Sequence, residues 1–137
     1  MTEKHCNRLF GYGTLSDVNF FINVARIEPD SVNFGWIYAK LYNCGSFPMI
    51  VEDTDRKVYG RVYTIKSLNE LLPKLDIYER CNIEPIEDSF YIRKIIPVIL
   101  ESNERVEAWT YIGNPESDLY KLKCIEENLI ESGRWNS

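Results

Sequence analysis

The sequence predicts a mixed α/β fold of the α+β kind, built mainly around a curved or closed antiparallel sheet. Three observations carry that prediction. Segments rich in aromatic and branched residues dominate the chain, whereas helical spacing is confined to a few short stretches. Two strand-like segments, "FYIRKIIPVIL" and "RVEAWTYI", are separated only by the turn "ESNE", the short connection that antiparallel neighbours allow. No internal repeat, linker or low-complexity segment divides the 137 residues, so a single domain over 1–137 is expected.

The elements follow in chain order. Residues 8–15, inside "RLFGYGTLSD", read as a first strand in which Leu9 and Phe10 precede two glycines and Leu15 follows them. Ser16 or Asp17 caps a short helix through "VNFFINVA", because either side chain can accept from the exposed amides of a first turn. "VNFGWIYAKLYNC" (32–44) reads as a strand or bent pair, "GSFPM" as its turn, and Met49–Val51 as a short strand. "KVYGRVYTI" (57–65) is another strand, with Gly60 as a bulge or point of close approach. In "SLNELLPKLDIYE" (67–79), Leu68, Leu71, Leu72 and Leu75 recur at helical spacing, and Pro73 implies a kink or a break into two pieces. "RCNIEPIEDS" (80–89) reads as an exposed loop, and a last helix is expected over 117–130.

Composition narrows the function classes. With 45% hydrophobic and 27% charged residues the chain fits a globular domain with its own core. No apolar run is long enough to cross a bilayer, and "MTEKHCN" lacks the apolar stretch of a secretory signal, so a cytoplasmic protein without a membrane partner is expected. The net charge is -5 and no basic block stands out, which disfavours nucleic acid as a partner. Cys6, Cys44, Cys81 and Cys124 form no CxxC pair, so free thiols are expected rather than disulfides, and no metal site. His5 is the only histidine, so a nucleophilic serine or cysteine would lack its usual imidazole base.

Two local features bear on chemistry. Successive amides at Tyr12, Gly13, Thr14 and Leu15 form either a structural turn or a concavity for a small carboxylate. The stretch has neither GxGxxG nor GxxxxGK[ST] spacing, so it is not a dinucleotide or P-loop site. Glu79 closes a helical stretch beside Tyr78; it is either a solvated glutamate or, with the helix dipole and partial burial raising its pKa, a general base near neutral pH. Asp76, three residues earlier, places a second carboxylate on the same helix face, as glycoside hydrolysis would need. Glu84, Glu87 and Asp88 read as loop solvation, and Arg93 as a partner for an acid or a solvent-facing cation. Tyr12, Tyr42 and Tyr91 serve equally as hydroxyl donors or as core, and Trp36, Trp109 and Trp135 read as packing residues.

Taken in order, the segments make a family recognisable. "FGYGTL" (10–15), "LYNCGSFPMIV" (41–51), "VYGRVYTI", "LPKLDIYERCN", "FYIRKIIPVIL", "EAWTYIGNP" and "ESGRW" together resemble the gamma-glutamylcyclotransferase-like superfamily, in particular its AIG2-like, gamma-glutamylamine cyclotransferase branch. The resemblance spans roughly residues 8–135 and rests on the ordered set. It implies a small, mainly antiparallel β-barrel flanked by helices, with a cavity at its mouth. It implies a transferase or lyase-type cyclisation without a cofactor, converting a gamma-glutamyl small molecule to 5-oxoproline plus an amine or amino acid. The expected assembly is a monomer or weak homodimer.

By that resemblance Tyr12, Gly13, Thr14 and Leu15 hold substrate, Glu79 occupies the acid–base position, Tyr91 stands near the site, and Gly45, Phe47 and Pro48 shape its rim. Three departures stand out. Arg80 follows Glu79 where many relatives have glycine, Ser16 stands where arginine or lysine is common, and the 80–89 loop is long. The alternative is a non-catalytic small-molecule-binding or protein-interaction module that keeps the fold and pocket.

Overall fold

The computed structural model describes residues 6–81 and 84–135; the readings of His5 and of the chain's first residues fall outside them. Five strands close into a small barrel: β1 (Arg8–Gly11), β2 (Ser31–Asn43), β3 (Pro48–Thr64), β4 (Tyr91–Leu100) and β5 (Arg105–Gly113). Neighbours run β1-β3-β2-β4-β5 around the barrel. All pairings are antiparallel except the closing seam, where Leu9 of β1 lies parallel to Trp109 of β5. Closure joins β1 to β5 and so pairs the two strands that would otherwise end the sheet. Helices α1 (Val18–Ala25), α2 (Leu68–Tyr78) and α3 (Asp118–Lys123) complete the α+β class that the sequence predicts.

The two-residue period of the strands sorts side chains into two cores. Phe10, Ile37, Leu41, Ile50, Val62 and Val98 fill the barrel. Leu9, one residue from Phe10, points instead into a second core with Phe21 of α1, Tyr63 of β3 and Leu68, Leu71, Leu72 and Leu75 of α2. Phe21 and Tyr63 stack there with ring centroids 4.1 Å apart. Asp17, rather than Ser16, caps α1, its side chain accepting from the Phe20 amide at 3.0 Å. This second core is what fixes α2, and the residue that ends it, against the barrel mouth.

Several boundaries differ from the sequence reading. β1 ends at Gly11, and Thr14–Ser16 form a single 3-10 turn in place of more strand. Neither Gly11 nor Gly13 has a positive φ. Space is what the glycines supply: a Cβ on Gly13 would lie 2.8 Å from Pro48 Cγ, and one on Gly60 would lie 2.2 Å from the Gly11 carbonyl oxygen. The loop thus lies directly on β3.

Met49–Val51 and 57–65 are parts of one strand, β3, rather than two. The polar residues 53–56 bulge out where Tyr38 pairs with Lys57 and Ala39 with Glu52, and Asp53 closes the bulge by accepting from the amides of Asp55 and Arg56 at 3.1 Å. α2 runs unbroken through Pro73, held by its buried leucine stripe. The expected 117–130 helix stops at Lys123, because the tail turns to dock on β2: the Ile130 amide donates to the Leu41 carbonyl at 2.7 Å, and Leu129 bridges Tyr42. No helix among the described residues is long and apolar enough to cross a membrane.

Candidate active site

The loop after β1 is held by its carbonyls. The Tyr63 hydroxyl donates to the Leu15 carbonyl, Ser16 Oγ to the Gly13 carbonyl at 2.6 Å, and Arg61 Nη1 to the Ser16 carbonyl at 3.0 Å. The N–H groups of Gly13, Thr14 and Leu15 have no acceptor among the described residues. Fastened carbonyls and free donors make a cradle suited to an anionic oxygen.

A cavity of about 40 Å3, room for about three waters, is walled by the loop residues Gly11–Leu15 together with Phe47, Pro48, Glu79, Tyr91 and Tyr111. Tyr12, Gly13, Thr14, Leu15, Glu79 and Tyr91 therefore contribute to one recess, as do the rim residues Phe47 and Pro48, whereas the third expected rim residue, Gly45, does not line it.

Glu79 follows the last residue of α2, its amide donating to the Leu75 carbonyl at 2.8 Å. Burial pushes its carboxyl up to about 7. No described residue donates a hydrogen bond to it or pairs with it as a cation. Uncompensated desolvation is what raises such a group into the neutral range.

Asp76, about one helical turn earlier, has partners that Glu79 lacks. Arg93 grips it in bidentate fashion, Nε to Oδ1 at 2.8 Å and Nη2 to Oδ2 at 3.1 Å, and the Tyr111 hydroxyl donates to Oδ1 at 2.7 Å. The two acids therefore do not form a pair facing one cleft. Asp76 is a brace between α2 and the β4–β5 hairpin, and only Glu79 lines the cavity.

The tyrosines around Glu79 are committed as donors. Tyr12 donates to the Tyr111 carbonyl at 2.6 Å, and Tyr91 donates to the Pro48 carbonyl. Burial holds the hydroxyls of Tyr12, Tyr91 and Tyr111 well above the usual phenol range, so all three stay protonated at neutral pH. Tyr91 thus fastens the start of β3 to β4 and leaves only lone pairs for a ligand. Sequence reading missed Tyr111, and it offered Arg93 as a partner for an acid without identifying Asp76 as that acid. The brace had a signal: Asp76 falls eight residues after Leu68 on the buried leucine stripe, where a carboxylate needs a partner.

Arg80 adopts φ 53, the left-handed conformation that ends many helices at glycine. Its guanidinium lies 4.7 Å from the Phe90 ring centroid, and Phe90 stacks on the rim residue Phe47 at 5.8 Å. The added charge therefore turns toward the rim rather than to Glu79. Asn114 pins the following loop by donating to the carbonyls of Ile86 and Ser89, each at 2.9 Å. Arg80→Gly should raise stability by about 0.5–1 kcal/mol, relief of left-handed strain outweighing the lost ring contact. Urea denaturation reads this, and a loss of stability would mean the Phe90 contact dominates.

All four cysteines are free thiols. Among the described residues no three His, Cys, Asp or Glu side chains gather as metal ligands.

The barrel, the glycine loop and the buried glutamate define a class. A sequence profile of the family described as "Gamma-glutamyl cyclotransferase, AIG2-like" matches residues 9–137, and the chain belongs to that family. Similar solved structures include an AIG2-like protein of Mus musculus, 18% identical with a TM-score of 0.65, covering 98% of this chain and 97% of that one. Two Arabidopsis thaliana proteins are also similar. One is 22% identical with a TM-score of 0.63, covering 82% of this chain and 71% of its own. The other is 20% identical with a TM-score of 0.64, covering 99% and 73%. At these identities the structural likeness speaks for the fold. No curated protein matches the sequence.

Proposed function

We propose that this protein is a gamma-glutamyl cyclotransferase, which releases 5-oxoproline and an amine or amino acid from a gamma-glutamyl substrate. One observation carries the reading: a carboxyl with no partner among the described residues, lifted by burial to about 7, lines the same small cavity as a loop whose N–H groups have no acceptor among those residues. Membership in the AIG2-like family supports the same chemistry.

In this reading the substrate's alpha-carboxylate rests on amides of the 12–15 loop, and Glu79 takes a proton from the alpha-ammonium. The freed amine attacks the gamma-carbonyl carbon, forming the C–N bond of a five-membered ring. Loop N–H groups stabilise the oxyanion that develops. Glu79 returns its proton to the departing nitrogen as the original amide bond breaks, and the freed carboxylate passes the ring nitrogen's second proton to the released amine, so the atoms balance without a second reactant. Nucleophile and electrophile belong to one molecule, so the fold's main contribution is to hold a reactive conformer; this supplies several kcal/mol, up to about 7–11 in well-oriented systems.

The test is 5-oxoproline release from a panel of gamma-glutamyl amines and dipeptides. Wild-type protein is expected to form it from at least one of them. Binding without turnover across the panel would replace this reading with that of a non-catalytic binding module.

A further inference from the structure

A second, far larger cleft, of about 910 Å3, shares Tyr12, Gly13 and Thr14 with the small cavity. It extends over the outer face of β2 and β3 to the chain's tail. The strand register sets Phe34 opposite Arg61 and Trp36 opposite Tyr59, so these four side chains share one face, and Arg134 and Trp135 close its far end. Phe34 is 57% exposed. Trp36 and Trp135, read from the sequence as packing residues, both line the cleft; Trp135 also packs against the barrel core, and the Lys57 ammonium lies 4.3 Å from the Trp36 ring centroid.

Its cations are unusual in their company. Arg61 lies 4.9 Å from the Phe34 ring centroid and Arg134 lies 4.0 Å from that of Tyr59, and neither pairs with a carboxylate among the described residues. A guanidinium stacked by its face keeps its in-plane N–H groups for an anion. Arg61 spends one of these on the Ser16 carbonyl, which holds it at the edge of the glycine loop. The cleft's acids are placed otherwise: Asp17 caps α1, and Glu101 follows β4 at an exposed position.

Resting on the cyclotransferase reading, we propose that this cleft binds the part of the substrate beyond the scissile nitrogen, and that its preferred leaving group is an aromatic α-amino acid. The small cavity is too tight for a whole gamma-glutamyl dipeptide, and because both cavities are lined by Tyr12–Thr14 the scissile amide is assigned a place beside that shared wall. In an α-amino acid the carboxylate lies one carbon from that nitrogen, within the neighbourhood of Arg61. The side-chain ring then extends along the same face onto Trp36 and Tyr59. Arg61 is a specificity-determining residue in this assignment, and Trp36 provides the stacking surface.

Three substrates separate the contributions: gamma-glutamylphenylalanine, gamma-glutamylphenethylamine, which lacks the carboxylate, and gamma-glutamylalanine, which lacks the ring. Arg61→Gln should lower the kcat/KM ratio of the first over the second by about tenfold to a hundredfold, the size of a charge-assisted hydrogen bond. Trp36→Ala should lower the ratio of the first over the third, and it leaves the loop's bond to Arg61 in place. A readout without turnover uses Glu79→Gln protein titrated with gamma-glutamylphenylalanine. Tryptophan fluorescence is expected to change on binding, with weaker affinity when Arg61→Gln is added. Turnover with both ratios unmoved overturns the cleft assignment and spares the cyclotransferase reading. Arg61-dependent binding without 5-oxoproline from any substrate does the reverse. Neither turnover nor binding overturns both.

Discussion

Glu79→Gln should lose about 10²–10⁴ of the cyclisation rate while gaining stability above neutral pH. Glutamine keeps the shape of the side chain but cannot accept the ammonium proton. In the wild type kcat/KM should rise with pH through about 7, because the ionised carboxylate is the base and its pKa in the folded chain is about 7. The stability change has the opposite sign. An unfolded glutamate titrates at about 4.3, so between that pH and about 7 the native chain holds a proton the unfolded chain has released. Stability therefore falls as pH rises across this window, and above it the folded state carries the full cost of a desolvated charge. The shift corresponds to about 3–4 kcal/mol, which the partial solvent exposure of Glu79 reduces to about 2.

Glutamine has no charge to bury, so the variant should match wild type at pH 4 and exceed it by about 2 kcal/mol at pH 8 in urea denaturation. Full activity in the variant would remove Glu79 from the mechanism. A stability difference that does not widen with pH would mean the carboxyl is solvated. The expected gain also has a functional meaning: a reactive, desolvated group is maintained at the expense of stability.

The same contrast explains what the sequence made legible. Periodicity and turn chemistry are local, and they located α1, β2, the β4–β5 hairpin and the leucine face of α2. The site was legible to the extent that "FGYGTL" and "LDIYE" carry local signatures and an ordered resemblance. β3 was read as two strands because a bulge at 53–56 is polar, and nothing local reveals that Ala39 resumes the ladder at Glu52. The last helix was overextended because the chain past Lys123 is held by contacts that no local pattern shows: Asn128 donating to the Lys123 carbonyl, and Ile130 on Leu41. Close approach, expected from the sequence at Gly60 as an alternative to a bulge, also explains Gly11. Their role is the close approach of Gly11 and Gly60 from separate strands, visible only when the barrel closes. Glu79 and Asp76 illustrate the limit best. Three residues apart, one inside α2 and one just past its end, they diverge because β4 delivers the Arg93 cation to Asp76 and only the neutral Tyr91 to the cavity that Glu79 lines.

That divergence yields the second large effect. Asp76→Ala should destabilise the protein by about 3 kcal/mol, because it strands a largely buried guanidinium and the Tyr111 hydroxyl together. The Arg93 guanidinium keeps its contact with the Trp109 ring, 4.3 Å from the centroid, but loses the carboxylate that accepts from it. The disturbance should reach the cavity through a short chain of bonds: Tyr111 accepts the Tyr12 hydroxyl on its carbonyl and packs edge-on to Tyr91, with ring centroids 6.5 Å apart. Asp76→Asn retains an acceptor for Tyr111 and should cost less than the alanine variant. Adding Arg93→Leu to Asp76→Ala should recover part of the loss, since the stranded cation is then gone, and the resulting double-mutant cycle should give a coupling above about 1 kcal/mol. A cost under about 1 kcal/mol for Asp76→Ala would place the pair with ordinary surface salt bridges. The pH profile distinguishes a brace from an electrostatic partner. Desolvation alone raises the Glu79 carboxyl, so removing the Asp76 charge should lower the rate through geometry while leaving the rising limb near pH 7. A limb displaced toward lower pH would instead mean that the two carboxylates repel each other across the helix turn.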